Sequence, residues 1–269
     1  MTDTRTSLIL VPYHLGRTGE GSPRGVTVLA ETLADERVFE VAVAVDSEAT
    51  NEIAASMDVI RALAETVRAT DGFPFVLAGN CSSALGTVTG LGGEVGVVWL
   101  DAHGDFNTPE TTRSGFFDGM GLAMLTGAGW DGLRSGLVTV PEDHVVHVGG
   151  RDFDPGEETR FERSAVTLVR RPPVDDALDA LRNRVSEVYV HVDLDVLDPS
   201  VGRANSLAVD DGLFVRDLEE IVDAIAARFE IRAAGLTWYE PDCDPERAVP
   251  GVARAIYERV LASRSVEVS

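Results

Sequence analysis

Short runs of apolar, β-branched and aromatic residues punctuate the chain: SLILVP at 7–12, FPFVLA at 73–78, VGVVWL at 95–100, HVVHVG at 144–149, AVTLV at 165–169, EVYVHV at 187–192 and RAAGLTWY at 232–239. They have the composition of strands buried on both faces. Between several of them apolar residues recur at helical spacing: Ile53, Met57, Ile60, Leu63 and Val67; Val174, Leu178, Leu181 and Val185; Leu218, Ile221, Val222, Ile225 and Phe229. Strand alternating with helix predicts an α/β fold of three layers, α/β/α, around a mostly parallel sheet. No linker-like tract or repeat interrupts the pattern, so a single domain over 1–269 is expected. Ligands of such sheets bind outside the carboxyl ends of the strands, which directs the search for chemistry to the residues after each apolar run.

Two of those places are rich in acids. DAHGD follows VGVVWL, setting Asp101, His103 and Asp105 at alternate positions, and DLDVLDP follows EVYVHV, setting Asp193 and Asp195 likewise. Side chains alternate across an extended chain, so each stretch aims its acids at a common point. Carboxylates gathered out of water repel one another unless cations neutralise them. A hard oxygen set with one or two nitrogens suits Mn²⁺ or a similar divalent ion, and a pair of ions roughly 3.5–4 Å apart would absorb this much charge. A third stretch, AGNCSSALG after FPFVLA, places Cys81 at a strand end, as metal ligand, nucleophile or small filler. No His-Asn pattern nearby supports the nucleophile.

Composition narrows the partners. Asp and Glu number 45 against 23 basic residues, all Arg, for a net charge of -22, which disfavours nucleic acid and anionic membranes. No apolar run approaches the roughly 20 residues that cross a bilayer. The opening MTDTRTSLIL lacks the basic-then-apolar pattern of a secretory leader, and the two cysteines lie far apart, so the cytoplasm is the expected location. GAGWDG at 127–132 fits G-x-G-x-x-G, but a helical-looking GLAMLT precedes it instead of a strand, and a dinucleotide site is not supported.

DAHGDFN with TPETTRSG, and VDLDVLDP, resemble the signatures of the ureohydrolase family of arginases and agmatinases; the resemblance runs from about residue 7 to 262. AGNCSSALG is similar to the segment that supplies that family's first metal-binding histidine, and GGRDFDPGEE to the arginase segment that holds the amino-acid end of the substrate. The resemblance implies two divalent ions, Mn²⁺ foremost. One would be held by His103, Asp101, Asp193 and Asp195, the other by Asp101, Asp105, Asp193 and whatever Cys81 provides. A thiolate there would tilt that position towards Zn²⁺ or Co²⁺. Asp105 is implied as proton carrier and Glu240 as the carboxylate that pairs with the guanidinium. Asn107 and Ser114 match positions for the substrate α-carboxylate, and Asp154 the position for its α-amino group. A guanidino amino acid, arginine or N-hydroxy-arginine, is therefore the implied small-molecule partner, with agmatine, guanidinobutyrate or an inactive ligand-binding relative as alternatives. The family also implies a homo-oligomer.

The chain departs from the pattern at several points. Cys81 stands where a His ligand is expected, Asp118 where arginases carry a proton-shuttling His, and Phe116 replaces an Asn. GRANSLAV lacks a Gly-Thr-Pro turn and leaves Asn205 and Ser206 as candidate substrate contacts. His191, of the same parity as Asp193, is expected behind the ligands, and His14 on the first strand's exit loop is expected within reach of substrate.

Overall fold

The computed structural model describes residues 5–34, 38–45, 47–92 and 94–264. Eight strands form one sheet: β1 (Thr6–Val11), β2 (Val38–Ala42), β3 (Phe73–Ala78), β4 (Gly96–Leu100), β5 (Val145–Val148), β6 (Thr167–Val169), β7 (Glu187–Asp193) and β8 (Glu230–Thr237), in the order β2-β1-β3-β8-β7-β4-β5-β6, every pair parallel. Helices cover both faces: α1 (Ser22–Leu33), α2 (Glu52–Ala69), α3 (Ser83–Leu91), α4 (Gly121–Leu125), α5 (Asp131–Arg134), α6 (Pro155–Arg163), α7 (Asp175–Arg182), α8 (Val215–Ala226) and α9 (Ala248–Arg264). This is the expected three-layer α/β/α fold, and parallel strands need it because each crossover lays a helix on the sheet. Among the described residues no helix is long and apolar enough to cross a membrane.

The apolar runs are strands for the expected reason. All six residues of β3 and all five of β4 are buried. Alternate side chains feed two cores: Val98, Leu100, Val190 and Val192 pack on one side with α1, α7, α8 and α9, while Trp99, Tyr189 and Val97 pack on the other with α3 and α4. Each fully buried large side chain contributes roughly 1.5–3 kcal/mol.

Several elements escape the periodicity, β2, α1 and α3 among them. Strand β2 sits at the sheet edge with Phe39 60% exposed, so it has no double-faced apolar run to announce it. The chain before the edge helix α1 carries glycines and charges, and its Gly21 N-cap has no side-chain hydrogen bond. In α3, SALGTVTGL is a run of small residues with little helical apolar period, and its glycines are what lets it form here. A Cβ on Gly86 would lie 2.5 Å from the carbonyl oxygen of Ile60, and one on Gly90 2.5 Å from Cβ of Val67. Their absence brings α3 against α2 and fixes the loop that precedes it, residues 79–82.

The four central strands β3, β8, β7 and β4 end side by side. Their carboxyl ends deliver Cys81, Trp238, Asp193 and Asp101 to one place.

Candidate active site

Asp101 and Asp193 leave adjacent strands, and the turns after them bring back His103 and Asp195. The His103 amide donates to Asp101 Oδ1 at 2.7 Å and the Asp195 amide to Asp193 Oδ1 at 2.8 Å, so each motif folds on its own first carboxylate. His103 Nδ1 lies 3.5 Å from Asp101 Oδ1 and 3.3 Å from Asp195 Oδ2. Trp99 Nε1 holds Asp101 Oδ2 at 3.0 Å, and Asn205 Nδ2 holds Asp195 Oδ2 at 2.9 Å. Asn205 is thus wholly buried behind a ligand candidate, and the Ser206 amide donates to Glu240 at 3.1 Å.

Cys81 lies on the other side of Asp193. Its thiol donates to Asp193 Oδ2 at 2.7 Å and lies 3.2 Å from Thr237 Oγ1, which is 3.4 Å from His191 Nε2. Two groups of side chains have the geometry to hold an ion: Asp101 with His103 and Asp195, and Cys81 with Asp101 and His191, the candidate ligand atoms of each group lying within 4.8 Å of one another.

The electrostatics favour cations. Burial pushes the carboxyls of Asp105 and Asp193 well above the usual range, and the neighbouring acids push further. Burial raises Asp101 to about 6 against the hydrogen bond from His103. Burial would lower His103, but Asp195 and Asp101 push it up to about 12. Asp195, resisting its own burial, is drawn down to about 2 by His103 and Asn205. The Cys81 thiol is pushed well up by burial and by Asp193, Asp105 and Asp101. Oδ2 of Asp105 is buried with no hydrogen-bond partner. An unpartnered buried carboxylate oxygen beside three more acids fits a divalent ion, which would supply the missing partner and the missing charge.

Asp105 reaches its position through an unusual backbone. Its φ is 47°, and its carbonyl accepts from the amides of Leu122 at 2.8 Å and Ala123 at 3.1 Å, at the start of α4.

A cavity of about 240 Å³ opens over these groups; the expected clamp residues Asn107, Ser114 and Asp154 line it, with Phe116, Phe153, Leu207 and Trp238 as apolar wall. Asn107 Nδ2 donates to Asp154 Oδ2 at 3.1 Å. Asp154 caps α6 in a capping box with Glu157, whose other oxygen accepts from the Phe106 amide at 2.9 Å.

Three of the expected site residues lie outside the cavity lining. Asp118 does not line the cavity: its oxygens accept from the amides of Ser82 at 2.8 Å and Cys81 at 3.0 Å and from Asn80 Nδ2 at 2.9 Å, so its carboxylate clamps the Cys81 loop. Glu240 also lies off the cavity; it accepts from Trp238 Nε1 at 2.9 Å as well as from Ser206. His14 is held by Ser22 Oγ at 3.1 Å and packs on Trp238 and Phe116 behind the wall, not in it. Sequence reasoning passed over Thr237, Trp238 and Asn80. Thr237 had a signal, since it pairs in register with Asp193, but it was hidden inside an apolar run.

Residues 13–262 match the model of the arginase family. Over 288 aligned residues the chain is 30% identical to arginase of Bacillus caldovelox, covering 93% of this chain and 95% of that one. It is 34% identical over 189 residues to the N(omega)-hydroxy-L-arginine amidinohydrolase of Streptomyces lavendulae, covering 68% and 66%. The solved structure of the Bacillus caldovelox arginase superposes with a TM-score of 0.87 at 27% identity, over 96% of this chain and 98% of that one.

Proposed function

The chain belongs to the arginase family, and from that premise we propose that it hydrolyses the guanidino group of an arginine-like amino acid, giving ornithine with urea from arginine or hydroxyurea from N-hydroxy-arginine. The observation that carries this reading is a single cavity with the buried acids at its floor and Asn107, Ser114 and Asp154 on its wall. Asp101, His103, Asp193 and Asp195 would hold one divalent ion, and Asp101, Asp105, Asp193 and Cys81 the other. Bound there, the ions would supply the Lewis acidity that makes water nucleophilic near neutral pH.

The chain's own groups do the rest. Asn107 and Ser114 offer donors to an α-carboxylate and Asp154 accepts from an α-ammonium, which orients an amino-acid substrate with its far end over the acids. Asp105, buried and unpartnered on Oδ2, takes the proton of the attacking water and passes it to the leaving amine. Phe116, Phe153 and Leu207 exclude bulk water from the reacting group.

N-hydroxy-arginine is the favoured substrate. Glu240, expected to pair with a guanidinium cation, is engaged by Trp238 and Ser206, and Trp238 lines the cavity while Glu240 does not. Asp118 is equally withdrawn into the Cys81 loop. An N-hydroxyguanidine is less basic than a guanidine and needs less help from either carboxylate. The test is a product assay with arginine, N-hydroxy-arginine, agmatine and guanidinobutyrate, each with Mn²⁺, Zn²⁺ and Co²⁺. Hydroxyurea and ornithine should form fastest, and no urea or hydroxyurea from any pairing would refute the hydrolase.

A further inference from the structure

An imidazole that position 81 lacks is present on β7, one strand beyond the β8 neighbour of β3. We infer that His191 takes its place as a metal ligand, joining Cys81 and Asp101 among the residues already assigned to the inner metal site. The inference deepens the hydrolase reading and rests on it for the presence of two ions.

His191 is wholly buried in β7, in register with Trp99 of β4, and the two rings stack with centroids 3.8 Å apart and planes at 26°. The stack fixes the plane of the imidazole. Its Nδ1 lies 3.2 Å from the Tyr189 hydroxyl, which in turn hydrogen-bonds Thr87. Room for that hydroxyl comes from Gly235, where a Cβ would lie 2.5 Å from it. A ligating histidine typically donates its second ring N–H to an outer partner, which fixes the tautomer and leaves the other nitrogen as lone pair. Tyr189 is such a partner for Nδ1.

The other nitrogen, Nε2, faces Thr237 at 3.4 Å, and Thr237 Oγ1 lies 3.2 Å from Cys81 Sγ. A His191 ring nitrogen, Cys81 Sγ and an Asp101 oxygen all lie within 4.8 Å of one another. Tetrahedral coordination of Zn²⁺ by nitrogen and thiolate sulfur places the two donors about 3.5 Å apart, so shifts on the order of an ångström close the triangle. Rotation of the Thr237 hydroxyl opens the edge between Cys81 and His191. The Cys81 thiol gives up its proton to water on coordination. Sulfur, imidazole nitrogen and carboxylate together select Zn²⁺ or Co²⁺ over Mn²⁺.

His147 is the internal control. It flanks Trp99 on the opposite side, in register from β5, and neither of its ring nitrogens has a hydrogen-bond partner. Burial in this row therefore does not by itself bring polar partners to a histidine; of the pair, it is His191 that has a ring nitrogen within 4.8 Å of a thiol and an acid oxygen.

The experiment titrates the metal-free full chain with Co²⁺, counts bound ions after dialysis, and records ¹⁵N spectra of histidine-labelled protein. Two ions per chain, two histidine rings with hyperfine-shifted ¹⁵N resonances (His103 and His191) and a near-ultraviolet thiolate-to-cobalt band are expected. His191→Gln should lose one shifted ring and weaken one ion by roughly 100-fold while leaving the other at wild-type affinity, and Tyr189→Phe should weaken the same ion by about 10-fold. One shifted ring in wild-type protein that carries two ions, a wild-type stoichiometry of one, or unchanged affinities in His191→Gln would overturn the assignment. The wild-type spectrum decides even if the variants fold poorly. Failure of the hydrolase reading would instead appear as absent product in protein whose spectra show both rings.

Discussion

The trio of Asp101, His103 and Asp195 and the trio of Cys81, Asp101 and His191 share one carboxylate yet stand in different surroundings. The first reaches the cavity surface through His103 and contains its own cation: the imidazole is pushed up to about 12 and Asp195 is drawn down to about 2. The second is wholly buried and contains no cation. Burial pushes the Cys81 thiol up and the His191 imidazole down, to about 3, so both are neutral in the ion-free protein. The outer group holds together as an ion pair without metal, whereas the inner group avoids repulsion by keeping its protons. Similar ligand counts thus give one site that exchanges a charged proton for metal and one that deprotonates only on coordination.

Asp193 touches both trios, one oxygen on the Asp195 amide and the other on the Cys81 thiol. Asp193→Ala should erase the contrast: ion content per chain falls at both positions by elemental analysis, and kcat falls on the order of 10³-fold, the equivalent of several kcal/mol of lost charge stabilisation. Retention of either ion at wild-type affinity would show that the two groups do not share this acid.

The strands and the acid clusters were legible because both obey simple periods. Double-buried β3, β4 and β7 read as continuous apolar runs, and alternation across their ends aligned Asp101 with His103 and Asp193 with Asp195. Orientation was not legible. Asp118 and Glu240 follow the right elements, but whether a carboxylate turns to the cavity or back to an amide depends on donors brought from elsewhere in the fold: the 80–82 loop for the first, Trp238 and Ser206 for the second. Parity put His191 on the ligand side; only the register with Trp99 and Gly235 shows how near Cys81 it comes. Helix α3 was invisible because its glycines serve a contact with α2 and not a turn.

Asp118 sharpens the comparison from the inner side, since it secures only the Cys81 loop. Asp118→Ala leaves three N–H donors without their acceptor, which costs roughly 3 kcal/mol and lowers Tm by about 6–12 °C in calorimetry. Activity per folded molecule should stay within about 10-fold of wild type; a fall in the 10²–10⁴ range typical of a lost proton carrier would restore that role.

The smallest effect separates the two histidines beside Trp99. Burial lowers His147 and His191 to about 3, so the unfolded chain takes up protons below about 6.5 that the folded chain refuses. Stability is therefore full above that value and falls as the pH drops from about 6.5 towards 3. His147→Phe removes one of the two contributions, about 2 kcal/mol at pH 5, and should flatten the acid limb of the denaturant midpoint against pH while leaving ion content untouched. An unchanged limb would mean that His147 finds a partner in solution.

The left-handed backbone of Asp105, locked by two amides of α4, restricts the residues that position can hold before chemistry is considered. Aspartate, asparagine and glycine tolerate φ near 47°, whereas glutamate does so poorly and β-branched residues hardly at all. In a library randomised at codon 105, foldable members would cluster on those three, and only one of them carries a carboxylate. The side chain is thus chosen twice, once by geometry and once by acidity, and drift at this codon has asparagine as its nearest folded but uncharged neighbour.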